Sequence, residues 1–286
     1  MKTELSQEKI VREKIYGHTI YKTIIKTGEM SPESIEHHIA RVMLEHIHQL
    51  NNISIGTMAD LCSVSKSTIS KFVKQLGFED YKEFKAEAYS RGKREVYIKD
   101  LNKINITDYI LQKGTEEYLD VLFADISYLF FKTDSKKIEQ LVTLIHDYEE
   151  VAAFGEGYSE TAALNFQHKM SFYQKFIYTT TNDRKQVAYI SRAKENTLML
   201  IFSNSGRYIS EYTHLTDAPS KKCFEETKAK VVLFTSNREM EKDPRVDLCI
   251  DWEYKDLVQN HPVLYQLLIE RIAIAYQNKY GFPMEK

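Results

Sequence analysis

Ser54 to Phe84 reads SIGTMADLCSVSKSTISKFVKQLGFEDYKEF, three short helical patterns joined by almost no linker. Thr57 is expected to cap the first, because its hydroxyl can accept an orphan backbone N–H. Met58, Ala59 and Leu61 then form a short apolar face. Cys62 and Ser63 turn the chain, and Val64 points back inward. Ser65 caps a second helix, on which Ile69, Phe72, Val73 and Leu76 recur at helical spacing. Gly77 ends that helix, since glycine enters the left-handed conformation at no steric cost.

The pattern is that of a helix-turn-helix, whose second helix enters the DNA major groove. The opposite face of that helix carries Lys66, Ser67, Thr68, Ser70, Lys71 and Lys74. Cations suit phosphates; short hydroxyls suit base edges or backbone. Ser63 stands at the turn position often taken by glycine.

Charge is divided along the chain. Residues 1–94 hold 15 Lys and Arg against 12 Asp and Glu, whereas the other residues hold 24 against 29. A mildly basic head on an acidic body suits a nucleic-acid reader joined to something else. With 286 residues there is room for two domains. The three cysteines, Cys62, Cys223 and Cys249, have no metal-type spacing, which fits a reducing cytosol. The charged start MKTELSQEKIVREK is not expected to be a signal peptide. No apolar run approaches the ~20 residues that cross a bilayer, so no membrane partner and a cytoplasmic location are expected.

VSKSTISKFVKQLGFEDYKEFK resembles the N-terminal domain of the RpiR-like bacterial transcription regulators. The matching positions are Val64, Ser65, Thr68, Phe72, Leu76, Gly77, Phe78, Tyr81, Lys82, Glu83 and Phe84; Lys71 stands where the family usually has Arg. The resemblance implies a head joined to a sugar-isomerase (SIS) domain.

Upstream, Ser31-Pro32-Glu33 has the form of a helix start, with Ile35, Ile39, Val42, Met43, Ile47 and Leu50 along one face. Ile10, Ile15, Ile20, Ile24 and Ile25 form a weaker pattern, open between a dimerisation helix and an idle extension. His37, His38, His46 and His48 lack the paired spacing of metal ligands and are expected on a solvated surface. Residues 85–104, with Arg91, Lys93 and Arg94 among them, are expected as a hinge. Two helices should follow. The first would bury Tyr109, Leu119, Leu122, Phe123, Ile126 and Leu129. The second would start at Ser135 and bury Ile138, Leu141, Val142 and Ile145.

Beyond residue 150 the rhythm changes. Val151–Phe154, Phe176–Tyr178, Leu198–Phe202, Val231–Phe234 and Leu248–Ile250 are short apolar runs separated by helix-length segments, which predicts an α/β body with five parallel strands covered on both sides. A last helix, Pro262 to Tyr276, would bury Leu264, Leu267, Leu268, Ile272 and Ile274. In order 2-1-3-4-5, strands 1 and 3 meet at the switch point where ligands sit. The loops after those strands read Phe154-Gly155-Glu156-Gly157-Tyr158-Ser159 and Phe202-Ser203-Asn204-Ser205-Gly206-Arg207. Both should face one crevice and offer an anion site.

This segment resembles the SIS fold over about residues 135–286, a three-layer, flavodoxin-like αβα domain. Ser203, Ser205 and Gly206 match the family's Ser-x-Ser-Gly-x-Thr, and Gly155, Gly157 and Ser159 its Gly-x-Gly-x-Ser. Asp183 and Gln186 fall where many relatives have Asp-x-x-Gln. Tyr208 replaces the threonine of the phosphate cup, and Glu156 brings a carboxylate beside it.

The expected division is a DNA-binding head at 1–90, a linker and connecting helix at 91–134, and a phosphosugar-binding body at 135–286. The expected function is transcription regulation of sugar metabolism, without catalysis, cofactor or metal. The partners would be a palindromic double-stranded operator, a phosphosugar at Gly155, Gly157, Ser159, Ser203, Asn204, Ser205, Gly206 and Arg207, and a second or further copies in a homodimer or homotetramer. Two alternatives stand beside it. One is a sugar-phosphate isomerase with a DNA-binding appendage. The other is a regulator whose body only dimerises or binds a partner.

Overall fold

Helix starts in this chain are written as side-chain acceptors, and the computed structural model shows which of them act. It describes residues 30–76, 78–89, 105–210 and 222–281. These fall into two compact units, one before residue 90 and one from residue 105.

The first unit is helical. Helix α1 (Ile35–Glu45) starts at Ser34, whose Oγ accepts from His37 N at 3.1 Å. Ser31 lies one turn earlier, its Oγ bonded to Glu33, so the helix starts later than the Ser31-Pro32-Glu33 reading expected. A 3-10 turn (Ile47–Asn52) follows. Helix α2 (Ile55–Leu61) is capped by Ser54 rather than Thr57: Ser54 Oγ accepts from Thr57 N at 3.0 Å. Helix α3 (Lys66–Gln75) is capped by Ser65, which accepts from Thr68 N at 3.1 Å. Helix α4 (Tyr81–Tyr89) closes the unit, with Phe84 fully buried and Tyr81 Oη donating to Ile53 O. Ile39, Met43, Leu50, Met58, Ile69, Phe72 and Val73 complete one core. Ile35, expected on the buried face of α1, is exposed, because the helix begins there and its inward face starts at Ile39. The isoleucine pattern upstream of residue 30, Gly77 and the charged cluster Arg91–Arg94 lie outside the described residues.

The second unit begins with α5 (Ile106–Lys113) and α6 (Thr115–Phe131), split at Gly114, whose φ is +93°. These helices, expected as part of a linker, pack on the body: Arg271 donates to Leu129 O and Thr133 O. The buried face of α6 is Tyr118, Val121, Asp125 and Leu129. Leu119 and Phe123, expected inside, are exposed, Phe123 at 65%. Helix α7 (Ser135–Asp147) buries Ile138, Leu141, Val142 and Ile145 as expected.

Then come β1 (Glu150–Gly155), α8 (Tyr158–Ser171), α9 (Asp183–Arg192), β2 (Thr197–Phe202), a single turn α10 (Arg207–Ser210), α11 (Cys223–Glu226), β3 (Lys230–Thr235), a 3-10 turn (Arg238–Lys242), β4 (Leu248–Asp251) and α12 (His261–Tyr280). The strands pair in parallel in the order β1-β2-β3-β4. Alternate residues face opposite layers. Val151, Ala153, Leu198, Leu200 and Phe202 join α7, α8 and α12 in one core, while Ala152, Phe154, Met199 and Ile201 join α9 and α11 in another. Helices thus cover both faces of a parallel sheet.

Five strands were expected; four form among the described residues. Phe176–Tyr178 reaches the outer edge of β1 but makes a single bridge, Tyr178 exchanging bonds with Val151 and Ala153 at 2.8 Å. The run is too short to continue: Gln174 takes φ +58° just before it, and Phe176 turns to solvent. Ile274, expected in the core, is exposed on α12.

Candidate nucleic-acid interface and ligand crevice

Helix α3 divides cleanly. Ile69, Phe72 and Val73 are buried, while Lys66, Ser67, Lys71 and Lys74 are exposed and Ser70 is half-buried. Ser67 and Thr68 are partly committed to the cap: their hydroxyls lie 2.7 and 2.8 Å from Ser65 Oγ. The turn before α3 needs a left-handed residue, and Ser63 supplies it at φ +54°, a conformation costing roughly 1–2 kcal/mol for a non-glycine. Its N–H bonds Asp60 O, and Val64 N bonds Ala59 O. Lys66 does not project straight outward. Its Cε would stand 3.2 Å from a Cβ placed on Gly56, so its stem lies along the first turn of α2. Gly56 was not singled out in the sequence, since only the folded approach of Lys66 reveals its role.

In the body, Gly155 and Phe202 are register partners, so the loops after β1 and β2 leave the sheet side by side at its carboxyl edge. Gly155 permits α8 to start against the strand end: a Cβ there would lie 2.6 Å from the carbonyl of Ser159. Gly157 takes φ +63°. Ser159, expected to face a ligand, is buried, with its Oγ 3.4 Å from Tyr265 Oη. Glu156 is half-buried and Glu160 buried in the first turn of α8.

The second loop rests on a dense set of hydrogen bonds. Ser203 Oγ accepts from Tyr208 N at 3.2 Å and Ser205 Oγ from Arg207 N at 3.4 Å. A hydroxyl that accepts in this way keeps its own proton to donate. Asn204 O accepts from Ser236 N, Ser236 Oγ and Thr235 Oγ1 at 2.9–3.0 Å. Asn204 Oδ1 accepts from Tyr254 Oη at 2.5 Å, and Ser205 O from Asn237 Nδ2 at 3.1 Å. Burial pushes the Tyr254 hydroxyl well above its ordinary value, so it stays a donor. Gly206 has φ +80° and lies against Met240. Arg207 is half-buried.

Gln186, 1% exposed, stands beneath both loops. Its Nε2 donates to Thr180 O at 2.7 Å and weakly to Gly155 O at 3.4 Å, and its Oε1 accepts from Tyr208 Oη. Tyr208 is therefore a buried tie between loops, packed edge-on against Phe224. Tyr254, Asn237 and Met240 escaped the sequence reading because each lies more than 30 residues beyond the loop it supports and carries no motif.

Residues 20–90 match the family model described as "Helix-turn-helix domain, rpiR family". The chain is 20% identical over 190 residues to the "Uncharacterized HTH-type transcriptional regulator in aarA 3'region" of Providencia stuartii, covering 65% of this chain and 66% of that one. It is 25% identical over 188 residues to the "HTH-type transcriptional regulator HexR" of Pseudomonas aeruginosa, 63% of each chain. The matched regions thus span just under two thirds of these relatives. Among solved structures, "The Vibrio vulnificus NanR protein complexed with ManNAc-6P" aligns over 92% of both chains at 13% identity and a TM-score of 0.48.

Proposed function

We propose that this chain, whose head carries the rpiR-family helix-turn-helix domain, is a transcription regulator whose DNA affinity is set by a phosphosugar in the body. The carrying observation is the pair Ser203 and Ser205. Each accepts from a backbone N–H, so each has a proton to give an anion, and both sit where β1 and β2 end together. Gly155, Gly157, Asn204, Gly206 and Arg207 shape the same mouth. Ser159 supports it from beneath rather than touching the ligand.

In the head, Lys66, Lys71 and Lys74 contact phosphates, and Ser70 with Ser67 and Thr68 meets base edges or backbone. A two-fold dimer reads a palindromic operator. The protein works in the cytoplasm. The body, on this reading an SIS domain, senses its sugar phosphate and does not convert it.

A thermal-shift panel of aldose and ketose phosphates tests the reading. The expected result is a rise in melting temperature for a subset, by mass action on the folded state, absent in the Ser203→Ala, Ser205→Ala double variant. No response to any phosphosugar, or one unchanged in that variant, removes the site. A second reading, proton transfer at a sugar carbon, is favoured only by the Glu156 and Glu160 carboxylates beside the loop. Turnover of any member of the panel would establish it.

A further inference from the structure

The segment between β4 and α12 is tied to distant parts of the body, among them Tyr109, whose Oη donates to Asp256 Oδ2 at 2.8 Å, and three further bonds bear on the ligand loop and α6. Tyr254 Oη donates to Asn204 Oδ1 at 2.5 Å. One residue on, Lys255 N donates to Asp125 Oδ1 at 2.7 Å, and Asn260 Nδ2 donates to Asp125 Oδ2 at 2.8 Å. Asp125 is 1% exposed and Asn260 fully buried. A carboxylate taken from water is costly unless hydrogen-bonded. Lys255 N–H and the Asn260 amide supply those bonds. Helix α6 therefore cannot slide against this segment without stretching two hydrogen bonds to a buried carboxyl, so the contact holds or releases as a whole.

Asn204 belongs to the loop that holds Ser203 and Ser205. Its side-chain oxygen is fixed by Tyr254, and Tyr254 and Lys255 are adjacent. A movement of Asn204 that pulls on the Tyr254 hydroxyl acts on the backbone next to the Lys255 amide. A second contact, from Arg238 to Tyr128 Oη on α6, is exposed to water and carries little beside the buried one. Helices α5 and α6 are the first described elements of the body after the head in the chain.

We infer that Asp125 is a latch through which occupancy of the 203–207 loop is passed, by way of Tyr254 and Lys255, to α6, the helix that leads back along the chain to the head. The inference deepens the proposed regulation and rests on that loop being the effector site. Neither Tyr254 nor Asp125 touches the ligand; both are positioning residues.

Amide hydrogen exchange on the full chain, with and without saturating inorganic phosphate, tests it. Phosphate should slow exchange in residues 203–209. It should also slow residues 121–131 of α6 by about fivefold beyond any slowing of the central strand β2, the lower end of usual coupling between sites. Tyr254→Phe should keep the response at 203–209 and lose the excess in α6. Asp125→Asn should do the same; if it does not fold, Tyr254→Phe decides alone. A response at 203–209 without an excess in α6, or an excess that survives Tyr254→Phe, overturns the latch and leaves the crevice standing. No response at 203–209 removes the crevice, and the latch with it.

Discussion

Gly206 bears two independent constraints, and replacing it with alanine separates them. Its φ of +80° lies where an L-residue is strained, and a Cβ would meet Met240 Cγ at 2.4 Å. The backbone strain costs roughly 1–2 kcal/mol. The collision forces Met240 off its rotamer, an overpacking cost of about 1–3 kcal/mol. Together they remove about 2–5 kcal/mol, and at roughly 3 °C per kcal/mol for a unit of this size the body's melting temperature falls by about 6–15 °C. Gly157 provides the control. Its φ is +63° and its ψ −125°, a glycine conformation outside the left-handed helical region, with nothing within 4 Å of an added Cβ, so Gly157→Ala shows backbone strain without a collision. The assay is a calorimetric scan of both variants and of Gly206→Ala combined with Met240→Ala. The combined variant is compared with Met240→Ala alone, which cancels the cost of truncating the methionine. In that background Gly206→Ala should cost only its backbone strain, roughly 1–2 kcal/mol. If Gly206→Ala costs as much with Met240→Ala as without it, Met240 does not hold the loop and the steric argument is wrong.

Four further outcomes follow from particular contacts. Replacing Lys71 and Lys74 together with alanine should weaken binding to any DNA and flatten its log–log salt dependence by about two, near 0.9 per phosphate contact; an unchanged slope would place the DNA face elsewhere. Ser65→Ala should cost the head about 1 kcal/mol in denaturant unfolding, while Thr57→Ala, a non-cap in the structure, should cost less. Tyr208→Phe should cost the body about 1–3 kcal/mol, because Gln186 Oε1 is left buried without its donor, and a loss within measurement error would show that the tie is idle. Hydrogen bonding from Arg245 holds the Asp243 carboxyl below its ordinary value of 3.8. That contribution to stability is fully present above the ordinary value and is lost as pH falls through the lower folded one, so Asp243→Asn should flatten this part of an acid-unfolding profile.

What the sequence made legible was what repeats locally. β2 is buried along its whole length, so it shows as an unbroken apolar run between polar segments. The same rule misled at Phe176–Tyr178, where one bridge was enough to bury Ile177 and no strand was needed. The cap of α2 slipped because Ser54 and Thr57 are both hydroxyls three apart, and Ser54 wins by drawing Ile55 and Gly56 into the helix. The rotation of α6 was hidden because Tyr118-Leu119-Asp120-Val121-Leu122-Phe123 offers apolar groups on several faces. The choice is made by Asp125, a charged residue that no apolar count would place inside. That the loops after β1 and β2 leave the sheet together was readable from their glycines and serines. Their supports were not, because Tyr254 meets Asn204 across 50 residues of chain.

Tyr208 shows how the departure from the resemblance is absorbed. On the proposed reading a threonine here would offer a hydroxyl to the anion, whereas the tyrosine turns its hydroxyl to Gln186. The proposed site then gives up one donor, and the two loops gain a buried tie through Gln186 to Gly155 O and Thr180 O. A site with fewer donors gains less enthalpy from the anion, but a loop already fixed loses less entropy on binding it. Arg207, next in sequence, can supply charge where the hydroxyl is missing. On this argument Arg207→Ala should weaken phosphosugar binding more than it weakens the fold. Titration calorimetry beside a melting curve reads the two separately. A loss of stability with affinity intact would mean that Arg207 serves the body's packing and that Ser203 and Ser205 hold the anion without it.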